Sequence, residues 1–373
     1  YFFENALYWQ REFHIDALRL DAVHAIQDFS ARPFLQDLAR ATAREAEKRN
    51  RRFYLIAESD LNDPRLILPE SNGGLGLHAQ WSDDFHHGLH VLLTGEQSGY
   101  YEDFSGLRQF AKAFREGYAY TGEYSKHRRR RHGNSPRMAS VRQFVVYSQN
   151  HDQIGNRFNG ERLTTMVGLE ELKLAAGAVL LSPFIPMLFM GEEYGEPAPF
   201  QYVVSHTDPQ LVEAVRQGRK QEFAAFAWQG EVPDPFSEGV FQQNILKRKL
   251  AQTGNRHQIL FNFYKELIYL RKSLSPIAEA RRETVDAQAL ESEHVLHVSY
   301  RNNGDGVYVI FCFNDQGVAV QLELDSGQWR KVFDSSVPQW EGPGSKVPDL
   351  LWSEGKVHLE LSPRSFIVLQ RQS

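Results

Sequence analysis

The sequence predicts a (β/α)8 TIM barrel, of which strands four to eight are present, followed by a small all-β sandwich. Three observations predict it. Strand-like and helix-like segments alternate from residue 14 to residue 193, the pattern of a parallel sheet built from βα units. Acidic residues fall where those strands end: Asp21, Glu58, Asp83 with Asp84, Asp152, and Glu192 with Glu193. That is the face on which such a barrel assembles its active site. From about Ala287 the pattern changes to short apolar strands between Gly, Asn, Asp and Pro turns, as in a small sandwich.

In chain order, residues 2–12 space Phe3, Ala6 and Leu7 as a helix does. HIDALRLDAVHAI follows, with a strand expected over 14–20. Residues two apart share a strand face, so Arg19 and Asp21 point the same way, as do His14 and Asp16 with each other. A helix is expected over 30–50, with Ser30 as N-cap and Pro33 in the first turn. FYLIAES, 53–59, suits a strand buried on both faces and ends in Glu58. A strand at 78–84 leads into a helix to about Leu93, another helix runs from Leu107 to Gly117, and a basic loop occupies 126–140. A strand returns over 143–152, then helices are expected at 163–181, 208–227 and 256–273. The last is amphipathic with a basic C-terminal end, and should close the large domain.

Five parallel strands can be counted where a barrel has eight, so three are expected ahead of Tyr1. The expected domains are 1–280, the C-terminal part of a catalytic barrel, and 287–373, the β-sandwich.

Composition narrows the partners. A net charge of −5 implies no general attraction to nucleic acid or anionic membranes. The run Arg128–Arg131 reads as a solvated loop, without the interleaved aromatics of a nucleic-acid surface. No apolar run reaches bilayer length, and no signal peptide is visible. The single cysteine, Cys312, permits no internal disulfide and suits a reducing, cytoplasmic compartment.

Three carboxylates end three strands: Asp21 in RLDAVH, Glu58 in LIAES and Asp152 in SQNHDQIGNR. Alone, Arg19–Asp21 reads equally well as a surface ion pair, and Glu58 has the lesser alternative of a strand-end carboxylate exposed to solvent. Together they allow a hard-cation site or glycoside hydrolysis, which needs one ionised and one protonated carboxyl. Arg19 favours the second, because a cation beside Asp21 competes with a metal and suits a carboxylate nucleophile. Glu58 follows an apolar strand, where desolvation favours the neutral acid. Asp83, Asp84, Phe85, His86 and His87 follow a strand end and are candidate cleft residues, although acidic residues there also suit a helix N-terminus. His86 and His87 lack a third ligand at zinc spacing, so no metal and no cofactor is expected. His24, one turn past Asp21, and Gln153 and Asn156, beside Asp152, are candidates for sugar hydroxyls. Trp81, Phe85, Tyr147, Phe200 and Tyr202 are candidates for stacking on sugar rings, weighed against ordinary core packing.

RLDAVH, AES and NHD, in this order at successive strand ends, resemble the conserved regions of the α-amylase family of glycoside hydrolases. The resemblance spans most of 1–280 and includes a C-terminal β domain. It makes Asp21 the nucleophile, Glu58 the proton donor and Asp152 the transition-state stabiliser, with Arg19 and His151 matching the family's arginine and histidine. The family's Asp-x-x-x-Asn-His segment is absent, and would lie before Tyr1. Within the family, AESDLNDPR, WSDDFHHGLHVLLTGEQSGYY, KHRRRRHGNSP and MGEEYGEPAPFQYVVSHTDP resemble one group of enzymes. They imply retaining hydrolysis of the α-1,4 bond between a malto-oligosaccharide and a terminal trehalose. For retention the two carboxyls should stand about 5–5.5 Å apart.

Overall fold

Five short parallel strands carry the carboxylates: β1 (Ala17–Leu20), β2 (Tyr54–Ala57), β3 (Ala79–Trp81), β6 (Phe144–Val146) and β7 (Ile185–Pro186). Between β3 and β6, Tyr124–Ser125 (β4) and Arg130–Arg131 (β5) form a two-stranded antiparallel hairpin. The computed structural model describes residues 1–224, 233–302 and 304–372. The parallel sheet runs in the order β1-β2-β3-β6-β7, and every neighbouring pair is parallel. Helices Phe34–Lys48, Asp83–Thr94, Leu107–Glu116 and Leu169–Leu180 intervene. The connections are βα units, and the sheet core is built from residues such as Leu55, Ala57, Phe144 and Val146.

Local chemistry explains where elements begin. His14 adopts φ +53°, a left-handed backbone that no strand residue takes. The first strand therefore starts at Ala17 rather than residue 14, and the pairing of His14 with Asp16 on a strand face is not formed. Ser30 does not cap the next helix. Asp28 accepts from the Ser30 and Phe34 amides, at 2.9 and 2.6 Å, and Pro33 occupies the N-cap. Proline suits that position because the first amides of a helix have no partner within it. The helix expected over 163–181 is two, Leu163–Met166 and Leu169–Leu180, broken where Val167 and Gly168 are extended. The helix expected over 208–227 is described as Pro209–Ala224, and 225–227 lie outside the described residues, as do Asn303 and Ser373 of the expected β domain. Arg256–Ser273 forms as predicted.

The C-terminal strands are β8 (Val285–Leu290), β9 (Val295–Asn302), β10 (Asp305–Cys312), β11 (Val318–Asp334), β12 (Leu350–Leu361) and β13 (Ser365–Arg371). They form one curled antiparallel sheet, ordered β12-β11-β13-β10-β9-β8. The segments 318–324 and 329–333, expected as two strands, are one strand with register shifts at Leu324/Gly327 and Lys331/Phe333. Such bulges bend a strand. Alternation along β10 feeds two cores. Val307, Val309 and Phe311 join the barrel core, and Tyr308, Ile310 and Cys312 join a second cluster inside the curl, with Val320 and Leu359.

Helix Leu169–Leu180 packs between the parallel sheet and β13 of the C-terminal sheet, which is why its apolar pattern is nearly continuous. Lys173, fully buried, donates to the Ser335 and Trp340 carbonyls at 2.8 and 2.9 Å and pairs with Glu170 at 2.8 Å. Gly177 faces Phe366 of β13, where a Cβ would come within 2.5 Å of the ring. Gly177→Ala is expected to destabilise the protein by about 1–3 kcal/mol through overpacking, read from the urea midpoint. An unchanged midpoint would show that the ring swings aside freely.

Candidate active site

β1 and β2 are in register, with Leu20 opposite Ala57. Asp21 and Glu58, the next residue on each strand, therefore emerge level. The crossing is stitched by the Glu58 amide to the Leu20 carbonyl, 2.9 Å, and by the Val23 amide to the Glu58 carbonyl, 3.1 Å. Between them the chain turns sharply at Ala22, with φ +40° and ψ +47°. A non-glycine residue there costs about 1–2 kcal/mol. The turn directs the Ala22 N–H onto Glu58 Oε2 at 2.5 Å.

Arg19 gathers the acids. Its Nη1 bonds Asp21 Oδ1, and its Nη2 lies 3.7 Å from both Glu58 Oε2 and Asp152 Oδ2. One guanidinium thus faces three carboxylates, two from strand ends and one from the helix after β6. The guanidinium lies over the Trp81 ring, 4.6 Å from its centroid, a cation–π contact that fixes its plane. Asp152 is not on a strand, as the sequence suggested. Asn150 caps the short helix His151–Gly155 by accepting from the Asp152 and Gln153 amides at 2.9 and 3.2 Å. Strand β6 ends at Val146 because the chain then turns into that helix. Tyr202 donates to Asp152 Oδ1 at 3.2 Å, and His151 Nε2 lies 3.5 Å from Asp152 Oδ2.

The acids differ in setting. The Asp21 side chain is 80% exposed and that of Glu58 18%. Glu58 and Asp152 open into a cleft of about 550 Å³, which His24, Asp83, His87, Gln153 and Asn156 also line. Burial brings the His87 imidazole down to about 3, so it is neutral there. Its ring rests on Tyr100, 4.7 Å between centroids. Gln153 Oε1 is buried with no hydrogen-bond partner among the described residues.

Three candidates point elsewhere. Asp84 is buried and takes three hydrogen bonds, from Asn62 Nδ2, Ala119 N and Tyr120 N at 2.7, 2.8 and 2.9 Å. Phe85 packs in the core against Phe110, Phe114 and Phe184. His86 donates from Nδ1 to the Ser148 carbonyl at 2.7 Å and accepts at Nε2 from Tyr101 Oη at 3.1 Å. The cause is periodicity. The helix starts at Asp83, so successive side chains rotate by about 100°, and Asp83 returns to nearly the same direction at His87, four residues on. Asp83 and His87 meet the cleft, and the three between them do not. Among the aromatics, Trp81 and Tyr202 reach the site. Tyr147 is buried against Trp81, with centroids 5.6 Å apart, and Phe200 packs on Phe189 at 5.2 Å. Glu192 is buried too, and its carboxyl, raised by burial to about 7, accepts from the Phe189 amide at 3.1 Å.

Loops add cleft residues that periodicity does not reveal. Asp60 pairs with Arg128 Nη1 at 3.0 Å, so one arginine of the basic loop turns into the cleft. Glu96 Oε2 receives His90 Nε2 and Arg157 Nη1, both at 2.8 Å. The His90 hydrogen bond, with Arg157, holds that carboxyl down at about 2.

No protein-family model matches the chain. The chain is 45% identical over 269 residues to the malto-oligosyltrehalose trehalohydrolase of Saccharolobus solfataricus, covering 72% of this chain and 45% of that protein. It is 44% identical over 323 residues to the enzyme of the same name from Rhizobium sp., covering 86% and 53%. The chain thus spans about half the length of these curated relatives. A crystal structure assigned as an alpha amylase of Salmonella typhimurium matches 99% of this chain and 59% of its own, with TM-score 0.82 and 34% identity. The alpha-amylase of Geobacillus thermoleovorans shares the fold at TM-score 0.58 and 15% identity, over 100% of this chain and 63% of that one. In sequence the chain is similar to malto-oligosyltrehalose trehalohydrolases, and in fold to alpha-amylases.

Proposed function

We propose that the protein hydrolyses the α-1,4 bond joining a malto-oligosaccharide to a terminal trehalose, releasing trehalose with retention of configuration. The observation that carries it is the single guanidinium, Arg19, facing Asp21, Glu58 and Asp152. Asp21, hydrated and paired with Arg19, attacks the anomeric carbon. Glu58 gives its proton to the glycosidic oxygen as that bond breaks, and trehalose leaves. Glu58 then takes a proton from water, whose oxygen attacks the anomeric carbon and displaces Asp21, restoring both carboxyls. Asp152, held by Tyr202, binds sugar hydroxyls and stabilises the developing positive charge. His24, Asp83, His87, His151, Gln153 and Asn156 supply hydroxyl contacts around this centre. Trehalose specificity is supported by the names of the relatives.

A second reading within the family is an α-1,4-glucan hydrolase or branching enzyme. A 1,4-alpha-glucan branching enzyme of Leifsonia xyli is 36% identical, over 103 residues. A third is a barrel that binds carbohydrate without cleaving it. Incubating the full-length protein with a trehalose-capped malto-oligosaccharide separates them. Free trehalose is the expected product. A branched glucan would favour the second reading, and tight binding with no bond cleavage the third. A cytoplasmic setting agrees with the lone, buried Cys312, and among the described residues no helix is long and apolar enough to cross a membrane.

A further inference from the structure

We propose that Asp83 is a substrate-binding residue, which as an uncharged acid donates a hydrogen bond to a hydroxyl of the bound glucan. The inference rests on the reading of the cleft as an α-glucan site. Its ground is the placement of Asp83. Three carboxylates of the site share Arg19, whereas Asp83 has no ion pair among the described residues. It lines the cleft beside Glu58 and Trp81 and opens the helix Asp83–Thr94. Tyr147, wholly buried after β6, donates its hydroxyl to Asp83 Oδ1. Oδ2 makes no hydrogen bond among the described residues.

The groups facing Asp83 oppose its ionisation. Glu58 and Asp60 approach from the loop after β2, Asp84 lies on its own helix, and Tyr100 comes from the turn Gly99–Asp103. Arg128 and His87 also line the cleft, but His87 is neutral and Arg128 pairs with Asp60. The helix N-terminus and the Tyr147 hydroxyl favour the anion. Burial, reinforced by the neighbouring carboxylates, outweighs them and brings Asp83 up to about 7. Below that pH Asp83 keeps its proton. Tyr147 occupies Oδ1, so the proton belongs on Oδ2. A protonated carboxyl is a donor, and an ionised one only an acceptor. Above that pH the donor is lost and an unpaired charge appears on the cleft wall.

Binding tests this without turnover. In full-length protein carrying Asp21→Asn, the affinity for a trehalose-capped malto-oligosaccharide, and for a plain malto-oligosaccharide, is measured by calorimetry from about pH 5.5 to 8.5. With Asp83 present, affinity for both is expected to weaken above neutrality, approaching tenfold per pH unit. Adding Asp83→Asn, whose amide donates at every pH, should flatten that dependence. Asp83→Ala should weaken binding by about tenfold at low pH, as expected for losing one donor to a hydroxyl. Tyr147→Phe removes a hydrogen bond that favours the anion, and should move the weakening to higher pH. An unchanged pH slope in Asp83→Asn, or full affinity in Asp83→Ala, would overturn the assignment. Because the plain oligosaccharide is a separate probe and no bond is cleaved, an error in the trehalose-releasing reading leaves this result interpretable.

Discussion

Asp21→Asn in the full-length protein is expected to lower turnover by on the order of 10⁴-fold, equivalent to about 5 kcal/mol of transition-state stabilisation. An amide matches the carboxylate in shape but cannot form the glycosyl ester. It also removes the anion bonded to Arg19 Nη1, leaving Nη2 near Glu58 and Asp152. Substrate binding should change far less, because Asp21 lies at the rim, where its side chain is 80% exposed. Steady-state kinetics paired with calorimetry separate the two effects. Near-normal turnover would show that the nucleophile is another residue.

Glu58→Gln has the second largest expected effect, a fall in turnover of roughly 10²–10⁴-fold, the range for losing general acid–base assistance. The amide oxygen of glutamine can still accept the Ala22 N–H that now reaches Oε2 at 2.5 Å, so the turn after β1 should survive. Leaving-group chemistry supplies the check. A substrate whose leaving group needs no proton, such as a nitrophenyl α-glucoside of matching chain length, should recover much of its glycosylation rate in Glu58→Gln. It should recover none in Asp21→Asn. Equal losses on both substrates would assign Glu58 a role in binding rather than in proton transfer.

Much of this centre is legible in the sequence because it rests on strands. Period 2 places Arg19 and Asp21 together, and apolar runs announce that Glu58 ends β2. Helical residues next to a strand are less legible. WSDDFHH offers five polar or aromatic candidates in a row from Asp83 to His87, but only Asp83 and His87 meet the cleft, because the helix begins at the first of them. Ser82, which accepts from the Phe85 amide, marks that start, and read as an N-cap it separates cleft residues from core. Asp152 shows the same limit. Asn150 converts the expected strand end into a helix, and the carboxylate still reaches Arg19. The loop residues Asp60, Glu96 and Arg128 carry no periodic signal. Their convergence depends on pairs distant in sequence, Asp60 with Arg128 and Glu96 with Arg157. In the C-terminal part, alternation reveals the strands, but the merging of two predicted segments into β11 depends on bulges, which leave no apolar signature.

The left-handed turn at Ala22 has a dynamic consequence. The peptide nitrogen that holds Glu58 is bonded to the carbonyl carbon of Asp21. The Asp21 backbone and the Glu58 carboxyl are therefore joined through one planar amide and one hydrogen bond. Thermal displacement of either is transmitted to the other, so their fluctuations are correlated. The spacing between them should vary less than the positional spread of each would suggest, even as the surrounding loops move.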